Sequence, residues 1–208
     1  MVSSHQQISE DLAGHPDRLR WNARYEAGPP ASFAPHPLAV LALALELPDG
    51  PVLELACGPS GSALLAAEAG RAVTAVDVSE AGLGLLGAQA RRRGLAQLIT
   101  LVQADLGSWR PPGGRYVLVL CTGYWDRGVF AAAAAAVSPG GLLGWEAFTA
   151  AARSVRPGLC AQWCLGPGEP AVLLPAGFSV LSQEDIDGGH RGARRRLLAR
   201  RHDLRMRF

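Results

Sequence analysis

"VLELACGPSG", residues 52–61, runs an apolar stretch directly into a turn built on Gly58, Pro59 and Gly61, and a small-residue segment, "SGSALLAAEAG", follows. A strand that ends in a glycine turn and opens a helix aims backbone N–H groups and the positive end of the helix dipole at one spot, which is how phosphates and nucleosides are held. Downstream, "AGLGLLGAQ" at 81–89 spells the dinucleotide pattern GxGxxG at Gly82, Gly84 and Gly87. There the preceding strand has ended at Val78 and Ser79 stands ready to cap a helix, so the three glycines fall one to two turns inside it. They are read as buried in the helix wall, where small residues let a helix approach a sheet. Position assigns ligand binding to 52–61.

Outward from this point, short apolar runs alternate with helical patterns. "RAVTAVDV", "LITLVQAD", "RYVLVLC" and "LLGWEAF" continue as strands, and "RGVFAAAAAAV" is a helix that "SPGG" turns into the last of them. Repeated βαβ units imply an α/β fold with a mostly parallel sheet. Past Thr149 the pattern weakens to a loop and short helix through "GEPAVLLPAG". "FSVLSQED" and "RRRLLARRHD" then read as a closing hairpin. Residues 1–50 carry two helical stretches, "DRLRWNARYEAG" and "LAVLALALEL", joined by the Pro-rich "PPASFAPHP".

The chain of 208 residues suits one domain, 1–208, with 1–50 as an N-terminal helical lid leading into the sheet. The first dozen residues are polar and slightly acidic, unlike a signal peptide, and the cytoplasm is the expected compartment. The longest apolar run, "PLAVLALALEL", contains Glu46 and falls short of the ~20 residues of a membrane span, so no membrane partner is expected. Cys57, Cys121, Cys160 and Cys164 form no CxxC pair and no zinc spacing; they read as structural thiols, and no metal is expected. Every Lys+Arg position is Arg, and the formal net charge is +2. The Arg-rich 191–207 stretch reads as a strand with solvated neighbours. Nucleic acid is therefore not expected as a partner, although RNA binding is the alternative reading.

An acid about 20 residues beyond such a loop, at the end of the second strand, can grip both ribose hydroxyls. Asp77 stands there. A nucleoside lying across the strand tips would also meet Asp105 beside its base.

These segments, "VLELACGPSG", "VTAVDVS", "LVQADLGSW", "YVLVLCTGYWD" and "VSPGGLLGWEAF", resemble in order and spacing the class I S-adenosylmethionine-dependent methyltransferases over roughly residues 15 to 205. "WNARY" and "RRRLLARR" look like the small tellurite-resistance and thiopurine-type subgroup. The resemblance implies a Rossmann-like seven-stranded sheet in the order 3-2-1-4-5-7-6, strand 7 antiparallel, with helices on both faces. It implies S-adenosylmethionine as cofactor and a small-molecule acceptor, in a monomer or homodimer. Glu54 and the backbone at Ala56 and Gly58 would meet the methionine part, and Asp77 the ribose. Val78, Asp105 and Leu106 would border the adenine, and Cys121 would offer its carbonyl to the amine. Trp21, Arg24 and Tyr25 would form the lid, with Arg24 a candidate for the cofactor carboxylate. Two features depart from the family pattern. Ala56 and Ser60 stand where glycines are usual, and Pro59 removes one N–H donor. "CTGYWD" replaces the Asn/Asp-Pro-Pro-Tyr/Phe of enzymes that methylate exocyclic amines of nucleic-acid bases.

Methyl transfer from a sulfonium is an in-line displacement that aromatic faces and exclusion of water assist. Tyr124 and Trp125, after the fourth strand, are expected at the pocket. Asp126, Glu146 and His36 are the candidates for a proton acceptor, with Asp126 alternatively a helix cap. A nicotinamide-dependent oxidoreductase and a non-catalytic cofactor-binding protein are the rival readings.

Overall fold

The central strands of this protein, Val52–Leu55 and Tyr116–Thr122, bury both faces, so each must be covered twice. In the computed structural model, which describes residues 12–203, five parallel strands form the core: β1 (Val52–Leu55), β2 (Val73–Asp77), β3 (Ile99–Gln103), β4 (Tyr116–Thr122) and β5 (Val137–Phe148). Two more, β6 (Phe178–Ile186) and β7 (Arg194–Arg201), complete one seven-stranded sheet in the order β3-β2-β1-β4-β5-β7-β6, with β7 antiparallel to both neighbours. This is the sheet that the resemblance implied.

Alternation divides the core in two. Leu53, Leu55, Val119, Cys121, Leu143 and Trp145 point to one face, under α5 (Arg127–Ala136). Val52, Leu118, Leu120, Leu142 and Leu198 point to the other, which α2 (Pro37–Leu43), α3 (Gly61–Glu68) and α4 (Glu80–Arg92) cover. A further helix, α1 (Pro16–Ala27), packs on α4.

Local chemistry sets the boundaries. Ser60, Ser79 and Asp126 each accept a hydrogen bond from a first-turn N–H of α3, α4 and α5. Gly70 (φ 79°) and Gly94 (φ 70°) take the left-handed turn just past α3 and α4. Three expectations need correction. The apolar helix after the Pro-rich connection stops at Leu43, short of the full "LAVLALALEL" run. "SPGG" is an irregularity inside β5, not a turn before it: the pairing with β4 slips between Tyr116 and Leu118 while Gly140 takes φ 76°. The segment after Thr149 forms several short 3-10 turns.

The Arg-rich end is β7, paired on both edges. Arg195 binds Asp185, Arg196 binds Glu146, and Arg200 and Arg201 donate to backbone carbonyls. Most of its charge is thus spent inside the fold. Among the described residues no helix is long and apolar enough to cross a membrane.

Candidate functional site

The chain runs outward from β1 to β3 and returns to β4 beside β1, which leaves a crevice at the carboxyl ends of the strands where such sheets bind ligands. A cavity of about 240 Å³ lies there. It is lined by Ala56 and Cys57 after β1, Asp77 and Val78 at the end of β2, Asp105 and Leu106 after β3, and Tyr124 after β4. Helix α1 supplies Trp21 and Tyr25 as a roof, stacked with ring centroids 5.8 Å apart. The volume is just below the ~300–1,000 Å³ of typical ligand sites.

The β1–α3 turn is built by backbone conformation and one carboxylate. Ala56 (φ 49°) and Gly58 (φ 52°) are both left-handed; Ala56 is the one non-glycine residue in that region among those described. The Asp77 carboxylate accepts the N–H of Gly58 at 2.7 Å and that of Ser79 at 2.8 Å, joining the two loop ends. Burial raises its pKa, against the opposing pull of those N–H groups. Ser60, in place of a family glycine, caps α3 and donates its hydroxyl to Glu54 at 2.7–2.8 Å. Glu54 is fully enclosed, and burial pushes its carboxyl up to about 7.

The GxGxxG triplet lies within α4 and does not line the cavity. A Cβ on Gly82 would come within 2.8 Å of the Tyr25 ring, and one on Gly87 within 2.9 Å of Leu101. Those two are packing glycines. Gly84 is exposed with open space beside it, so the expectation that all three are buried is corrected.

Of the residues singled out from sequence, Trp21, Tyr25, Ala56, Asp77, Val78, Asp105, Leu106 and Tyr124 meet around the one cavity. Glu54, Gly58 and Cys121 stand behind its wall, and Cys121 is in the core. Arg24 is exposed and reaches back over the Trp21 ring, 5.7 Å from its centroid. Trp125, expected at the pocket, is a core residue packed against Phe130 and Trp145, because the turn after β4 directs it inward. Asp126 accepts the Val129 N–H at 2.9 Å as the cap of α5. Glu146 is on the sheet face under α2, held by Arg196 at 2.9 Å and His36 at 3.3 Å; these partners keep its pKa low despite burial. Asp126, Glu146 and His36 are therefore all away from the cavity wall.

Sequence reasoning missed His15, Asp17, Cys57, Ala104, Thr122 and Gly123, which also line it. His15 Nδ1 is buried without a partner, and its Nε2 lies 3.9 Å from Asp105. A buried polar atom left without a partner is uncommon and calls for an explanation. Only His15's place just before Pro16, at a helix start, could have signalled it.

Residues 52–141 match the family model described as "Methyltransferase domain". Residues 52–141 of the chain are thus similar to a methyltransferase domain. The matched stretch is the one that forms the cavity floor. Among solved structures, TehB from Haemophilus influenzae superposes with a TM-score of 0.66 at 16% identity, covering 86% of this chain and 66% of that one. A protein solved in work on conversion of a disulfide bond into a thioacetal group during echinomycin biosynthesis gives 0.67 at 19% identity, covering 90% and 94%. Magnesium protoporphyrin IX methyltransferase from Synechocystis, solved with bound SAH, gives 0.61 at 20% identity, covering 79% and 80%. No curated protein matches the sequence.

Proposed function

We propose that this chain is a methyltransferase that uses S-adenosylmethionine to methylate a small molecule. The observation that carries the reading is Asp77, fixed by two backbone N–H groups at the carboxyl end of β2 and lining the cavity. Its oxygens retain lone pairs for the two ribose hydroxyls. Val78, Ala104 and Leu106 offer an apolar slot for the adenine, where Asp105 offers a polar edge. The left-handed turn at Ala56 and Gly58 leaves room for the amino-acid end. When bound, the cofactor supplies a methyl group activated on a sulfonium.

The chain's own residues then orient and dry the site. Trp21, Tyr25 and Tyr124 surround it with ring faces, each cation–ring contact being worth about 0.5–2 kcal/mol. The Tyr124 phenol is pushed up to about 12 by burial and by the nearby Asp126 and Cys121, so near neutral pH it donates a hydrogen bond and does not accept a proton. Helix α1 is latched by Arg18 to Glu80 and by the Asn22 carbonyl to the Ser79 hydroxyl at 2.6 Å, which keeps the roof over the acceptor.

The small-molecule acceptor is favoured over nucleic acid by the intramolecular pairing of the β7 arginines. The TehB superposition supports assignment to the tellurite-resistance and thiopurine-type subgroup. Calorimetric titration with S-adenosylhomocysteine and with NADH tests the reading. Heat is expected with the first and none with the second; the reverse result overturns it.

A further inference from the structure

A second cavity, of about 470 Å³, opens at the same edge of the sheet. It is lined by Arg20 of α1, Arg156, Leu159 and Trp163 from the segment after β5, and His190 in the β6–β7 connection. Topology explains the meeting. Strand β5 ends at this edge, antiparallel β7 begins at it, and α1 crosses above. Helix α1 has a wall in both cavities: Asp17 and Trp21 face the first, and Arg20 faces the second.

The charge here is one-sided. No described carboxylate lines the cavity, and Arg20 forms no ion pair among the described residues; its guanidinium rests over the Trp21 ring, 5.5 Å from the centroid. Arg156 lies 4.7 Å from the Phe148 ring centroid and has a single long contact, 3.5 Å, to the Arg191 carbonyl. On the other side of this pair, Arg194 lies 4.9 Å from the same ring; its Nε is buried and unpartnered, while its Nη1 pairs with Glu146 at 3.6 Å. Glu146 is shared by Arg194, Arg196 and His36 and reaches neither Arg20 nor Arg156. The Arg20 and Arg156 guanidinium forks, presented without carboxylates beside Trp163 and Leu159, suit an anion carried on an apolar body.

We infer that this second cavity binds the anionic end, a carboxylate or phosphate, of an apolar methyl acceptor, whose reacting atom extends past α1 toward the first cavity. The inference rests on the methyltransferase reading, and its test separates the two. Protein saturated with S-adenosylhomocysteine is titrated with naphthoate, naphthyl phosphate and neutral naphthamide, using wild type, Arg20→Gln and Arg156→Gln. At least one anion is expected to bind about tenfold tighter than the amide, and each substitution to abolish most of that preference with homocysteine-product affinity and melting temperature unchanged. Whichever of the two anions binds tighter identifies the headgroup. Equal affinity for amide and anions, or a preference that survives in the folded Arg20→Gln/Arg156→Gln double variant, overturns the inference. Failure of S-adenosylhomocysteine to bind sinks the acceptor role with the methyltransferase reading, whereas the anion preference is still decided by naphthoate alone.

Discussion

Two glycine-bearing stretches of this chain are placed the wrong way round for their spelling. The 56–61 turn holds an alanine in the left-handed region, where glycine is at ease, and forms the cavity floor. The 82–87 stretch holds glycines inside a helix, where alanine is preferred, and faces no cavity. The two meet: a Cβ added to Gly82 would lie 3.3 Å from the Gly58 Cα. One stretch shapes the site by backbone conformation, the other by the absence of side chains behind it. A glycine motif thus reports only that backbone is exposed or closely approached, and the strand end decides to what.

The widest gap between the two stretches should come from Asp77→Ala, which removes the carboxylate from the floor. Loss of its hydrogen bonds predicts a fall of about a hundredfold or more in S-adenosylhomocysteine affinity, with about 1–3 kcal/mol of stability lost for each orphaned N–H. Calorimetry and thermal melting read both. A folded variant with undiminished affinity would break the assignment of the site to this turn.

Next comes the buried Glu54 beneath the turn. Its native pKa of about 7 lies above its ordinary 4.5, so the folded protein binds this proton more tightly than the unfolded chain. The resulting stability is complete below about pH 4.5 and is lost as pH rises through about 7. Urea unfolding at pH 5 and pH 8 should show wild type losing on the order of 3 kcal/mol relative to Glu54→Gln. Parallel pH profiles would show that Glu54 is not the group responsible.

Gly82→Ala carries the comparison into the helix. The new methyl would press on the Tyr25 ring and push α1 from its seat, costing about 1–3 kcal/mol and weakening cofactor binding through the roof. Ala56→Gly should instead stabilise by about 1 kcal/mol, since it relieves the left-handed alanine. Smallest of all, Gly84→Ala should stabilise by about 0.5–1 kcal/mol and leave cofactor affinity alone, because nothing lies within 4 Å of the added atom. If Gly84→Ala impairs binding while Ala56→Gly has no effect on stability, the roles given to the two stretches are reversed.

The sheet was readable because each strand from Val52 to Phe148 is a short apolar run bounded by a cap or a glycine, and those signals are local. Ser60, Ser79 and Asp126 cap helices that their neighbours in sequence already announce. Direction of a side chain after a strand end was not readable. Trp125 and Tyr124 are adjacent, equally aromatic and equally near the tip of β4, yet one fills the core and the other lines the cavity. Glu146 had the right position along β5 for a base but the wrong face, and the partners that settle this, His36 and Arg196, come from far along the chain.

The sequence alone determined the α/β class, the order of the strands by resemblance, the turn that ends β1, and the acid at the end of β2. These follow from period, caps and spacing, which act over a few residues. Only the tertiary structure decided that His15 and Asp17 join the first cavity, that Glu146 turns away from it, and that Arg20, Arg156 and His190 converge on a second. Such meetings depend on how elements distant in sequence pack, and packing is set by the whole core at once.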